Sequence, residues 1–225
     1  MKKPFGLTNA ECVLWGSSVT VVAAAYALSG GEGMINGIAS VIGVTALLFV
    51  AKGYVVGQLL VVAFSVLYGI ISLYCRYYGE AITYLGMSTP TAIATAIVWW
   101  KNPYKGTREV KVAPMSRWKW IALFPTTAAV TALFYVILGA LGNANLLLST
   151  FSIATSFSAA YLTFFRSPYY AVLYASNDLV LIGLWGMMAK DEPRYFSMVA
   201  CFVMFLVNDL YGFYQWRKME KRQRT

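Results

Sequence analysis

The sequence predicts an all-α integral membrane protein of about eight transmembrane helices, built as a 3+1+3 parallel repeat with one extra helix at the N-terminus. Three observations carry this. Of 225 residues, 59% are hydrophobic and only 12% charged, whereas a soluble domain needs roughly a quarter of its residues charged. The apolar residues fall into runs of about 20, the length that spans a bilayer core. The basic residues are confined to alternate connections. A soluble enzyme is excluded, and the runs leave no length for a separate globular domain.

The runs lie at about 9 to 29, 34 to 51, 54 to 75, 81 to 100, 117 to 140, 144 to 165, 168 to 189 and 194 to 216. Gly30-Gly31, Lys52-Gly53, Tyr78-Gly79-Glu80, Gly142-Asn143, Ser167-Pro168 and Asp191-Glu192-Pro193 mark the turns between them. Residues 1–33 hold the extra helix. With Lys2, Lys3 and the small residues Ala23 to Ala27 it imitates a signal peptide, but Glu11, Trp15 and the lack of a compact apolar region favour a retained helix. Residues 34–100 form the first three-helix repeat, 101–116 a basic cytoplasmic loop and 117–140 the connector. The second repeat takes 144–216 and a basic cytoplasmic tail takes 217–225.

Direction follows from the 18 lysines and arginines. Lys2, Lys3, Lys52, Lys101, Lys105, Arg108, Lys111, Arg117, Lys119, Arg166, Arg217, Lys218, Lys221, Arg222 and Arg224 fall on one side; Arg76, Lys190 and Arg194 fall on the other. Cytoplasmic loops retain positive charge, so both termini and the 101–116 loop are expected in the cytoplasm. The net charge of +9 is then topological and calls for no nucleic-acid partner; membrane lipid is the surrounding partner.

The repeat rests on self-similarity. Lys52 aligns with Arg166 at an offset of 114, as does Leu67-Tyr68-Gly69-Ile70 with Leu181-Ile182-Gly183-Leu184; Trp100-Lys101 aligns with Trp216-Arg217 at 116. With one connector between them, the two triplets run parallel, and their interface is the expected substrate site. Apolar helices ending in an aromatic and a basic residue also look alike for reasons of membrane anchoring.

Ionisable residues in hydrocarbon mark pathways or paired interior sites. Of nine acidic residues, only Asp178 and Asp209 are read as intramembrane. On the helix at 168 to 189, Tyr170, Tyr174, Asn177, Asp178, Leu181 and Trp185 follow steps of three and four and share a face. On the last helix Met204, Asn208, Tyr211 and Gln215 do the same, with Asp209 about 100° away and therefore the weaker candidate. Gln58, Ser65, Tyr68 and Ser72 form a polar stripe at 54 to 75. Converging, the three stripes make a pocket of aromatic walls, amides and one carboxylate, suited to a flat ring joined to a sugar and favouring a cation. Trp99, Trp100, Trp118, Trp120 and Trp216 are read as interface belt or core packing, and interhelical hydrogen bonding is the competing role for Asn177 and Asn208. Cys12, Cys75 and Cys201 sit in apolar runs, and the sequence has no histidine, so no metal, cofactor or histidine-dependent nucleophile is expected.

Five segments resemble the PnuC family of bacterial vitamin transporters, typified by nicotinamide riboside uptake. They are Arg-Tyr-Tyr-Gly-Glu (76 to 80), Trp-Trp-Lys-Asn-Pro-Tyr (99 to 104), Ser-Pro-Tyr-Tyr-Ala-Val (167 to 172), Asn-Asp-Leu-Val-Leu-Ile (177 to 182) and Asn-Asp-Leu-Tyr-Gly-Phe-Tyr-Gln-Trp (208 to 216). The resemblance implies a core similar to SWEET-type sugar transporters, a homotrimer in the bacterial plasma membrane, and facilitated diffusion with the substrate trapped inside by phosphorylation. It carries ligand contact to Tyr174, Asn177, Asp178 and Asn208. Many members have tryptophans where this chain has Tyr170 and Tyr174, and Tyr-Gly-Trp where it has Ile97-Val98-Trp99.

The expected function is uniport of a nucleoside-like vitamin, nicotinamide riboside foremost, with Tyr68, Gln58, Tyr170, Tyr211 and Trp185 completing the pocket. The same fold carrying a deoxynucleoside, thiamine or riboflavin stays open, as does proton-coupled uptake. An intramembrane enzyme using Asp178 and Asp209 has little support, because Asp209 faces away from the stripe.

Overall fold

The computed structural model describes residues 6–28, 34–74, 78–143, 145–192 and 196–224. Its helices are α1 (Asn9–Leu28), α2 (Met34–Ala51), α3 (Val55–Tyr74), α4 (Tyr78–Ile82), α5 (Thr89–Trp100), α6 (Arg117–Ala140), α7 (Leu146–Phe164), α8 (Tyr170–Asp191) and α9 (Phe196–Arg224), with a π-helical segment, Thr83–Ser88, between α4 and α5. Seven spans are long and apolar enough to cross a membrane; Gly79–Trp100 counts as one of them, and α2 adds a shorter apolar helix. Among the described residues there is no strand, only two isolated bridges. The turn residues Gly30, Gly31 and Pro193, together with Lys2, Lys3, Cys75, Arg76 and Arg194, lie outside the described residues.

The fourth span starts earlier than expected, at Gly79, which brings Glu80 inside it. Its π segment has a local cause. Pro90 has no N–H and crowds the carbonyl one turn back, so the ladder widens: the Thr89 N–H reaches Tyr84 O, and Thr89 Oγ1 donates to the same carbonyl at 2.9 Å. The widened turn pushes Leu85 against α3, where a Cβ on Gly69 would sit 2.5 Å from Leu85 Cγ. Only glycine permits that approach.

At the end of the bundle that carries most of the basic residues, α2 and α7 finish in the same way. Tyr54 N–H bonds Phe49 O at 3.0 Å and Gly53 N–H bonds Val50 O at 2.9 Å; Ser167 N–H bonds Leu162 O at 2.9 Å and Arg166 N–H bonds Thr163 O at 3.0 Å. The turning residue is left-handed in both, Gly53 at φ 66° and Arg166 at φ 61°, which satisfies the last carbonyls of each helix. Gly53, not Lys52, is therefore the counterpart of Arg166.

The 101–116 connection is an ordered plate over this end. Val110 N–H bonds Gly53 O at 2.9 Å, Ala113 N–H bonds Arg166 O at 3.1 Å, and Val112 N–H bonds Gln223 Oε1 at 2.8 Å. The last helix does not stop at 216 but runs through the basic tail to Arg224. Glu220 pairs with Arg217 at 2.5 Å and with Arg224 at 2.7 Å, and Arg222 pairs with Glu109 of the plate. One-turn ion pairs of this kind support an otherwise solvated helix.

Helix α1 packs on α2 and α9. Thr8 and Glu11 form a reciprocal N-terminal cap: Thr8 N–H donates to Glu11 Oε2 at 2.6 Å and Glu11 N–H to Thr8 Oγ1 at 3.2 Å. Glu11 is 1% exposed and is held by Lys52 Nζ at 3.0 Å, so the extra helix is ionically fastened to the α2–α3 turn.

Candidate substrate cavity

A cavity of about 390 Å³ lies among α3, α4, the π segment, α5, α7, α8 and α9. It runs from exposed Leu141, Gly142 and Asn145 in the α6–α7 connection to buried Tyr170. Below Tyr170 the basic end is sealed. Trp99 and Trp216 are both 0% exposed, with ring centroids 5.2 Å apart, and Tyr170 stands 5.1 Å from Trp216. Each indole also latches across the bundle: Trp99 Nε1 donates to Thr163 O on α7 at 3.0 Å, and Trp216 Nε1 donates to Val50 O on α2 at 2.9 Å. Thr163 and Val50 are the equivalent carbonyls of the two matched turns. Trp99, not Trp100, is thus the partner of Trp216, and both are core; Trp100 and Trp118 are exposed.

The α8 stripe faces the cavity in full: Tyr170, Tyr174, Asn177, Asp178, Leu181 and Trp185 all line it. Asn177 is fixed by α7, its Oδ1 accepting from Ser152 Oγ at 2.8 Å and Thr155 Oγ1 at 2.9 Å. The acceptor end is occupied, so the amide N–H groups are the end available to a ligand. From α3, Gln58, Ser65 and Tyr68 line the same space. Tyr68 packs 4.5 Å from Tyr84, centroid to centroid, and Phe64 lies 6.0 Å from Tyr84. This aromatic wall stands opposite α8.

On α9 the expected faces are exchanged. Asn208 and Tyr211 do not line the cavity. Asn208 Nδ2 donates to Ser18 Oγ on α1 at 2.9 Å and to Met204 O at 2.7 Å; the Tyr211 hydroxyl bonds Glu11 Oε1 at 3.2 Å and accepts from Gln215. The polar stripe of α9 is consumed by α1, whose Ser18 and Glu11 supply its partners. One residue on, Asp209 turns inward with Phe202 and Phe205 and meets Asp178 side chain to side chain. The reading of Asp209 as the weaker candidate is corrected by this packing.

Two further acids were not read as intramembrane. Glu11 is paired as described. Glu80 lines the cavity and accepts hydrogen bonds from the Tyr68 and Ser72 hydroxyls. A signal for it existed: Glu80, Tyr84, Ser88, Thr91 and Thr95 form a polar series at helical spacing, with the π segment absorbing the irregularity. Tyr84 entered the site with it. The lining residues include no lysine or arginine, and among the described residues no group of three histidine, cysteine or acidic side chains is placed to hold a metal.

A sequence model of the family described as "Nicotinamide mononucleotide transporter" matches residues 33–218. The chain belongs to this family. It is 25% identical over 196 residues to the nicotinamide riboside transporter PnuC of Neisseria mucosa, covering 85% of this chain and 74% of the relative. To the PnuC of Haemophilus influenzae it is 25% identical over 191 residues, covering 84% and 80%. A solved structure described as the vitamin B3 transporter PnuC superposes with a TM-score of 0.81 at 23% identity, covering 97% of this chain and 95% of that one, which shows the fold. The chain is accordingly an all-helical, multi-pass member of a bacterial membrane-transporter family, and the cavity is its candidate transport site.

Proposed function

We propose that this family member takes up nicotinamide riboside by uniport. The observation that carries the reading is the charge of the cavity: Glu80, Asp178 and Asp209 line it with aromatic rings and Asn177, and no basic side chain does. Nicotinamide riboside joins a flat pyridinium cation to an uncharged sugar. Rings and carboxylates suit the cation, and the Asn177 amide and Gln58 suit the sugar hydroxyls. The mononucleotide named in the family description adds a phosphate, for which this cavity offers no cationic partner. The Neisseria and Haemophilus relatives are named for the riboside. We assign substrate contact to Tyr68, Gln58, Tyr170, Tyr174, Asn177, Asp178 and Trp185, and add Glu80, Tyr84 and Asp209; Asn208 and Tyr211 support α9 from the α1 side.

The same reading places the basic end in the cytoplasm of a bacterial inner membrane, by retention of positive charge. The cavity then opens outward and is shut inward by the tryptophan latch. The parallel repeats, α2 to α5 and α7 to α9, rock about the site, exchanging the latch for a closed outer end; phosphorylation in the cytoplasm retains the substrate, and the assembly is a homotrimer. Thiamine is the second reading, since it too is a flat cation.

Binding to the purified protein, by tryptophan fluorescence or calorimetry, tests the substrate. Nicotinamide riboside is expected to saturate, the mononucleotide, riboflavin and deoxynucleosides to bind weakly or not at all. Tight binding of the mononucleotide, or of a neutral nucleoside in preference to the riboside, would overturn the proposal. Uptake into proteoliposomes that an uncoupler leaves unchanged supports uniport, and collapse of uptake would refute it.

A further inference from the structure

We propose that the groove between α6 and α8 holds an acyl chain of an anionic phospholipid, whose phosphate is bound by Lys119, Arg166 and Arg217 at the basic end. The inference does not depend on which vitamin the central cavity carries.

The groove follows from how the connector is held. Among the described residues α6 takes its helix packing from α7, so it stands off from α8 and leaves a groove of about 880 Å³ between them. Its α6 wall runs from Trp120 to Val136, about 24 Å at 1.5 Å per residue. Ala154 and Ser158 of α7 lie in the floor, and Tyr169 and Val172 at the start of α8 form the other wall. No charged residue lines it. The hydroxyls within it are taken up or enclosed: Thr127 and Ser158 bond each other at 3.0 Å, Thr150 donates to Leu146 O at 2.7 Å, and Thr131 Oγ1 is buried. The groove therefore presents hydrocarbon, and a hydrocarbon chain restores the dispersion contacts that the gap forgoes.

The basic end of the groove supplies partners for a headgroup. Trp120 and Tyr169 meet there with ring centroids 6.0 Å apart. Arg217 lies over the Tyr169 ring at 5.7 Å and Lys119 Nζ over the Phe165 ring at 4.6 Å, so both cations stand at the α7–α8 turn that contains Arg166. Arg217 is shared with Glu220. Lys119 and Arg166 make no ion pair among the described residues, and Arg166 Nε is buried with no hydrogen-bond partner.

The chain has no acid left to answer them. At this end Glu11 is held by Lys52, Glu109 by Arg222, and Glu220 by Arg217 and Arg224. A second copy seated here in the same membrane orientation would bring the same basic end, cation against cation. A phosphodiester brings the missing charge together with acceptor oxygens, and basic pockets between transmembrane helices on the cytoplasmic side suit anionic headgroups.

Native mass spectrometry and thermal melting of the delipidated protein in detergent, with phosphatidylglycerol and phosphatidylcholine of identical chains, test this. Phosphatidylglycerol is expected to bind about tenfold more tightly than phosphatidylcholine and to raise the melting temperature further; inorganic phosphate is expected to leave it unchanged. Lys119→Glu, and separately Lys119→Gln combined with Arg166→Asn, are expected to bring the two lipids within about twofold of each other. Ala128→Trp places a ring in the exposed α6 wall and is expected to displace both lipids. Each variant is first matched to the parent by far-ultraviolet circular dichroism, which separates misfolding from loss of the site. Equal affinity for the two lipids overturns the inference, as does a preference that survives both charge variants. Stabilisation by inorganic phosphate equal to that by phosphatidylglycerol overturns it in favour of a free anion. Dissociation of an oligomer by Ala128→Trp with the lipid preference intact overturns it in favour of a second copy.

Discussion

Helices α2 to α5 and helices α7 to α9 meet the basic end with the same hydrogen bonds. Gly53 and Arg166 turn their chains in the left-handed region, Val50 and Thr163 present equivalent carbonyls, and Trp216 and Trp99 each donate to the carbonyl of the opposite set. In the cavity the two sets part company. At the spacing that matches the turns, Asp178 corresponds to Ser65; at the spacing that matches the tryptophans, Asp209 corresponds to Ala92. The scaffold is paired but the acids are not: Asp178 and Asp209 have no acidic counterpart at the matched positions, and the first set brings its own acid, Glu80, to the cavity from an unmatched one. Backbone carbonyls and indole N–H groups depend on little sequence, so both sets keep the closure, whereas the two walls of the cavity carry their polar groups at different places. The difference teaches that the packing of the closed end and the polar lining of the cavity are separable in this molecule.

The closure is where the largest effects are expected. Trp99→Ala and Trp216→Ala each remove a fully buried ring, and each is expected to lower stability by about 3–5 kcal/mol, read as a drop in melting temperature in detergent. If the sets are equivalent the two losses agree; a loss confined to one tryptophan would break the comparison.

Asp178→Asn sharpens the chemical side. It removes charge beside the proposed cation, and riboside affinity is expected to fall by about 10- to 100-fold, corresponding to about 1.4–2.8 kcal/mol. Ser65→Ala at the matching position is expected to stay within about threefold, under 1 kcal/mol. Equal effects at the two positions would show that recognition is shared after all. Titration calorimetry reads both.

Smaller effects follow from single hydrogen bonds. Trp99→Phe and Trp216→Phe keep a ring but drop the N–H, and each is expected to cost about 1 kcal/mol of stability. Smallest for binding is Asn208→Ala: it cuts the bond to Ser18, lowering stability by about 1 kcal/mol, with riboside affinity unchanged within about twofold, under 0.5 kcal/mol. A large loss of affinity there would return Asn208 to the binding wall.

Much of this was legible in the residues. The α8 stripe was read correctly from spacing because the helix itself fixes which side chains share a face, and Gln58 and Tyr68 came out for the same reason. Glu80 was missed because Tyr78-Gly79-Glu80 reads as a turn while the fourth span already starts at Gly79, and Tyr84 because it sits in a π segment that breaks the regular helical period. The 101–116 connection looked like a solvated loop; Val110 and Val112 are buried in it only because Gly53, Arg166 and Gln223 supply partners distant in sequence.

The sequence by itself determined the solvent, the spans and the faces of single helices, since composition, length and periodicity are properties of a segment taken alone. Only the tertiary structure decided the rotation of α9. That helix carries an Asn208 face and an Asp209 face one residue apart, and hydrophobicity does not rank them; both are buried. Ser18 and Glu11 on α1 take the Asn208 and Tyr211 face by hydrogen bonds, and Asp209 is left to meet Asp178. A helix knows its own period, but which polar side it turns toward a neighbour depends on where that neighbour offers donors and acceptors.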